Sequence, residues 1–243
     1  MIRNPRPKNS WLTAVLVIAA VGLWIYQETQ SGSAPRGTGS SPGASSSSPS
    51  QKVAAPATKG AQSTRKVEKV GAYEFYQGCT LVDARNNDGD SFLVRLPDGK
   101  NVELRLYFVD TPESAFKNYG GGETNHPRIR QQAADLGGIT PEQAVEIGKK
   151  GKSFTLGLLS SRPFGIYTAW DSPYQDNRYH AFVEVVHDGK SRWLSELLVE
   201  RGLARLKTKP ADLPDGTPAS KQTARLRDLE RAAKRAELGA WGL

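Results

Sequence analysis

The sequence predicts an α+β fold: a small five-stranded β-barrel capped by about three helices, preceded by one apolar helix and a long linker. Three observations carry that expectation. Five short runs rich in β-branched and aromatic residues fall between residues 79 and 187, separated by turn signals. Three longer stretches read as helices, the last with Leu226, Leu229, Ala233 and Ala236 at three- and four-residue spacing. Upstream of all of them the composition shifts to Ser, Gly, Pro and Ala.

The elements follow in chain order. Residues 1–10 form a basic flank with Arg3, Arg6 and Lys8. Trp11 to Tyr26 is an uncharged, mostly apolar run, which as a helix spans roughly 24 Å, slightly short of a ~30 Å hydrocarbon core. Trp11, Trp24 and Tyr26 sit at its ends, and the preceding positive charges predict a cytoplasmic N-terminus. The run reads either as a single-pass membrane anchor or as a signal peptide cleaved near Gly32-Ser33-Ala34, with the folded part secreted. Residues 27–65 lack the apolar side chains that could offset ordering entropy, so they are expected to be a flexible linker.

The folded domain is expected over 66–243. Cys79–Asp83, Ser91–Leu96 and Asn101–Val109 read as strands, the last two joined by a hairpin through Pro97-Asp98-Gly99-Lys100. In the third, Val102, Leu104, Leu106 and Phe108 share one face, which places Arg105 on the opposite, non-core side. Phe164–Trp170 and Tyr179–His187 read as two further strands, and helices are expected at Thr140–Leu159, Arg192–Arg201 and Ser220–Leu238. Five short strands with interspersed helices suggest a closed barrel of the oligonucleotide-binding type.

The formal net charge is +8, but residues 1–65 account for +6 of it. Residues 66–148 sum to −4 and residues 149–243 to +6. An acidic half able to hold a cation is thus joined to a basic half able to attract a polyanion. Cys79 is the only cysteine, which excludes an intramolecular disulfide and suits a small buried hydrophobe. His126, His180 and His187 show no metal-ligand spacing, which argues against zinc.

The chemistry concentrates in two motifs, Asp88-Gly89-Asp90 and the run R-L-Y-F-V-D-T-P-E from Arg105 to Glu113. Asp90, Asp110 and Glu113 offer hard oxygen ligands and a proton acceptor, while Arg105 offers a fork for a phosphate. Alone, Asp-Gly-Asp is an ordinary turn. Beside Asp110 and Glu113 it becomes part of a phosphodiester-cleaving constellation.

With Arg178 leading R-Y-H-A-F-V-E-V, the L-L-V-E-R-G-L-A run at Leu197–Ala204 and the last helix ending near Trp241, the chain from about Gly78 resembles the staphylococcal (micrococcal) nuclease, or thermonuclease, family. The resemblance implies a Ca²⁺ site made by Asp90, Asp110 and the Thr111 carbonyl, although the residues alone also suit Mg²⁺. Asp88 is a candidate to orient that shell without touching the ion. The resemblance further implies Arg105, Glu113 and Arg178 as catalytic residues: the arginines on the scissile phosphate, the glutamate as base or water-positioner. It implies DNA and RNA as substrates and 3′-phosphate products. No obligate protein partner is evident.

The chain departs from the family pattern in two places. Residues 117–139 are longer than expected and are expected to form a lid or specificity loop, and their Glu123-Thr124-Asn125-His126-Pro127 also resembles what normally follows the catalytic glutamate. Spacing from Asp110 favours Glu113 over Glu123. Leu206–Thr217 lacks the tyrosines that line the family's nucleotide pocket, leaving Tyr107, Tyr119 and Tyr174 as replacements. Two readings compete with a nuclease: a catalytically inactive nuclease-like module that binds nucleic acid or protein at the cell envelope, and a tethered oligosaccharide or peptide binder.

Overall fold

The computed structural model describes residues 67–243; the basic flank, the apolar run 11–26 and the linker 27–65 lie outside the described residues. Nine strands and four α-helices follow in order. The strands are β1 (Glu68–Val70), β2 (Tyr73–Leu81), β3 (Ser91–Arg95), β4 (Asn101–Leu106), β5 (Val109–Asp110), β6 (Phe164–Thr168), β7 (Tyr179–His187), β8 (Lys190–Trp193) and β9 (Arg205–Leu206). The helices are α1 (His126–Asp135), α2 (Pro141–Ser161), α3 (Leu194–Glu200) and α4 (Ala219–Arg235).

Strands β2, β3, β4, β7 and β6 form a closed mixed barrel, because β6 pairs back onto β2. Every pairing in it is antiparallel except β4 with β7, where Arg105 lies opposite His180. Closure removes the unpaired edges that a small open sheet would expose. The arrangement is consistent with the expected oligonucleotide-binding type. The expected hairpin forms between β3 and β4, with Ser91 opposite Arg105, so the Asp90 turn and the arginine are neighbours by register.

The core follows from alternation. Phe92, Val94, Val102, Leu104, Leu106 and Ile166 point into the barrel, and α3 and α4 seal it with Leu194, Leu197, Leu198 and Leu226. Helix α2 begins with a capping box in which Thr140 accepts from the Gln143 N–H while the Gln143 side chain accepts from the Thr140 N–H.

Several expectations are corrected. The first expected strand, β2, runs from Tyr73 to Leu81 and so begins six residues before Cys79, because an irregularity between Gln77 and Cys79 interrupts its alternation. The third stops at Leu106, since Phe108 adopts a φ of 70° and turns the chain away from the barrel. Val109–Asp110 then pairs with Arg205–Leu206 in a separate two-stranded sheet. A fourth helix, α1, lies inside the stretch 117–139 that was expected to be a loop. Its apolar contribution is only Ile129 and Ala133, packed on Ala144 and Val145 of α2, too little to show as a periodic pattern. No helix among the described residues is long and apolar enough to cross a membrane.

Candidate active site

The Asp88–Asp90 turn is held by what packs on it. A Cβ on Gly89 would lie 2.8 Å from the Thr111 side chain and 3.0 Å from the backbone of Gly151 on α2, so only glycine fits. The Gly89 N–H donates to Asp88 Oδ1 at 2.9 Å, and the Thr155 hydroxyl of α2 donates to the Gly89 carbonyl at 2.8 Å. Burial raises the Asp88 carboxyl above its usual range; the Gly89 N–H opposes this and the charge of Glu113 adds to it.

Asp90 is 4% exposed. Its Oδ1 accepts from the Thr111 hydroxyl at 3.0 Å, but its Oδ2 is buried without a hydrogen-bond partner. That oxygen faces Arg105 Nε at 3.8 Å, and this nitrogen is equally unpartnered. The separation is too long for a hydrogen bond. Burial pushes the Asp90 carboxyl well above its ordinary value; the charge of Asp110 adds to the rise and Arg105 opposes it.

Asp110 is positioned by its register with Arg205, whose Nε and Nη2 both reach Oδ2 at 2.8 Å. Gln132 Nε2 donates to the same oxygen at 3.0 Å and to the Thr111 carbonyl at 3.1 Å. Arg128 Nη2 takes the other Asp110 oxygen, Oδ1, at 2.7 Å. The proposed ligands Asp110 and Thr111 are therefore close to Asp90 but already engaged by donors from α1 and β9.

Glu113 lies on the far side of Arg128, whose Nε contacts its Oε1 at 3.1 Å. Lys117 Nζ and Asn125 Nδ2 approach its Oε2 at 3.6 and 3.4 Å. The Glu113 N–H donates to Gln132 Oε1 at 3.0 Å, so one glutamine side chain ties together residues 110, 111 and 113. Helix α2 reaches this loop at Gly148, where a Cβ would stand 2.5 Å from the Pro112 and Glu113 carbonyl oxygens. The competing Glu123 is exposed.

Arg105 and Arg178 converge on one carboxylate. Arg178 Nε contacts Asp176 Oδ2 at 3.0 Å, and Arg105 Nη1 approaches the same oxygen at 3.7 Å. Burial works against the charged form of Asp176, but the hydrogen bonds and charge of Arg178, with Arg105 behind it, hold its carboxyl below the usual range. Arg105 lies on the non-core side that strand parity predicts, yet it is only 7% exposed, because Asp90, Asp176 and the Tyr174 ring cover it. Tyr107 is buried and donates its hydroxyl to Asp171, so it offers no stacking face. Tyr119 and Tyr174 are half exposed, and Tyr174 lies 5.7 Å over the Arg105 guanidinium.

Arg128, Gln132, Asp176 and Arg205 were not found from the sequence. Gln132 sits one helical turn after Arg128, but that spacing is visible as a signal only once α1 is known to exist. Among the described residues no group of three His, Cys, Asp or Glu side chains is arranged to hold a metal ion. Comparison of the chain with family models and with curated proteins gives no match.

Proposed function

We propose that this chain is an exported, metal-dependent nuclease that hydrolyses phosphodiester bonds of DNA and RNA with little sequence preference. The observation that carries the reading is the pair of arginines meeting on the Asp176 carboxylate, directly beside the orphaned oxygen of Asp90. Two forks that share one anion can share a phosphate, whose planar edges match guanidinium geometry. Preorganised donors aimed at the charge of a five-coordinate transition state are worth ~3–4 kcal/mol per donor removed.

The residues suit a divalent cation in part. A buried carboxylate oxygen without a donor is what a cation would satisfy, and Asp90 Oδ2 is one. Asp110 and the Thr111 carbonyl would complete the protein ligands, with Asp88 supporting them from the turn. Ca²⁺ is the reading taken and Mg²⁺ the alternative. Bound there, either ion would supply charge neutralisation at the phosphate. Glu113, contacted by Arg128 and Asn125, would accept a proton from water or orient it. Residues 11–26 would deliver the domain across the membrane, as an anchor or as a cleaved signal.

One observation favours the inactive binding module. Both oxygens of Asp110 and one of Glu113 are neutralised by arginine, as expected of a purely structural network. Digestion of plasmid and single-stranded DNA with Ca²⁺, with Mg²⁺ and with chelator separates the two. Cleavage that needs the divalent ion supports the nuclease; cleavage undiminished in chelator rejects the metal mechanism, and binding without cleavage under any condition rejects the enzyme.

A further inference from the structure

Arg128 is the least expected residue at this site. It belongs to α1, the helix that the sequence did not reveal, and its guanidinium lies between the carboxylates of Asp110 and Glu113, at 2.7 and 3.1 Å. It thus bridges two acids of the cluster with one guanidinium. The other two arginines near the cluster differ. Arg205 is 7% exposed along its side chain and clamped between Asp110 and Asp135, and Arg105 is 8% exposed behind Asp90. The Arg128 side chain is 43% exposed. It is the arginine of the three with room to leave.

We propose that Arg128 is a resident counter-cation of the acid cluster that a divalent ion displaces, and that it thereby sets the metal affinity of the site. The inference deepens the nuclease reading and rests on it. A guanidinium and a divalent ion both need Asp110 Oδ1, and one oxygen cannot give its full charge to two cations. Asp110 Oδ2 stays with Arg205 and Gln132 whichever cation holds Oδ1, so Asp110 remains oriented through the exchange. Asp90 adds the oxygen that Arg128 leaves unused: Oδ2 has no donor, and no ion pair links Arg128 to it. The divalent ion gains a ligand that the guanidinium lacks, which is the differential interaction an exchange requires. Once released, the side chain stays tethered to α1 beside the acid cluster, where it adds a further cation for a phosphodiester.

The exchange makes two measurable claims on the full-length protein, neither of which needs turnover. Calorimetric titration with Ca²⁺ and with Mg²⁺ should show Arg128→Met binding at least ~10-fold more tightly than wild type, the scale of coupling between two ligands of one site. Without metal, the same variant should melt at a lower temperature, because Asp110 Oδ1 and Glu113 Oε1 then lose the cation that bridges them. Arg128→Lys keeps the charge but loses the fork, and should fall between the two in metal affinity. In the wild type itself, Ca²⁺ should shift the Arg128 Nε–H resonance and speed its exchange with water as the Glu113 contact is lost, which tests displacement even where a variant fails to fold. Equal or weaker metal binding by Arg128→Met, or an Arg128 resonance unmoved at saturating Ca²⁺, overturns the proposal while leaving the nuclease reading intact. Absence of Ca²⁺ and Mg²⁺ binding in both wild type and Arg128→Met removes the metal site itself, and the proposal with it.

Discussion

Asp90→Asn should stabilise this protein in the absence of metal while abolishing its response to metal. Asp90 is 4% exposed, one of its oxygens has no donor, and burial together with Asp110 raises its carboxyl well above the ordinary value. The sign follows from linkage. A carboxyl whose folded value is raised contributes its stability below the unfolded value, near 3.9, and loses it as pH climbs through the raised folded value. At pH 8 the wild-type protein therefore carries an only partly compensated buried charge that the amide lacks. An unsatisfied buried polar group costs ~1–3 kcal/mol, with charged groups at the upper end, and Arg105 at 3.8 Å offsets part of it. A net gain of about 2 kcal/mol is expected, or roughly 4–8 °C in Tm for a domain of this size. The Asn carbonyl can go on accepting from the Thr111 hydroxyl as Oδ1 does in wild type, so that hydrogen bond is kept. Thermal melts in chelator at pH 4 and pH 8 measure the effect: no difference between the proteins at pH 4, and the variant higher at pH 8. Ca²⁺ at 100 times its Kd should then raise wild type by ~2.7 kcal/mol and leave the variant unmoved. Equal melting of the two proteins at both pH values would refute the claim that Asp90 is held as a costly charge.

Two further perturbations probe what positions the site. Gly148→Ala would drive a methyl to 2.5 Å from the Pro112 and Glu113 carbonyls. It should cost ~1–3 kcal/mol and lower turnover with little change in nucleic-acid affinity; a fully active, equally stable variant shows that α2 does not set the Glu113 loop. Asp176→Asn removes the carboxylate on which Arg105 and Arg178 converge, so inorganic phosphate should bind about tenfold tighter, or ~1.4 kcal/mol, by equilibrium titration. Weaker phosphate binding would mean instead that Asp176 organises the arginines.

Much of the barrel is legible in the sequence because apolar and polar residues alternate along β4, because β3 and β7 are rich in β-branched and aromatic residues, and because the turn after Leu96 carries its own glycine. Helix α1 is not, since it is polar on most faces and rests on two apolar side chains. The hairpin register that brings Asp90 beside Arg105 can be counted from sequence, whereas Asp110, Thr111 and Glu113 lie beyond that hairpin and Asp110 is set by the pairing of β5 with β9. Their partners cannot be counted in that way. Arg205 reaches Asp110 across 95 residues through a two-residue strand pairing, and Asp176 reaches Arg105 from a loop without periodicity. Burial of Arg105 was missed for the same reason: parity gives the side of a strand, not what lies over it.

The central claim is that the two arginines serve cleavage and not merely grip. Arg178→Lys keeps the charge near Asp176 but loses the planar fork. If the arginines act on the transition state more than on the bound substrate, single-turnover cleavage should fall by at least ~10²-fold. Equilibrium affinity for the same DNA, measured in Ca²⁺-free buffer at one fixed salt concentration, should change little. Turnover equal to wild type in Arg178→Lys would contradict the account, by removing Arg178 from the site and leaving the convergence on Asp176 as structure alone.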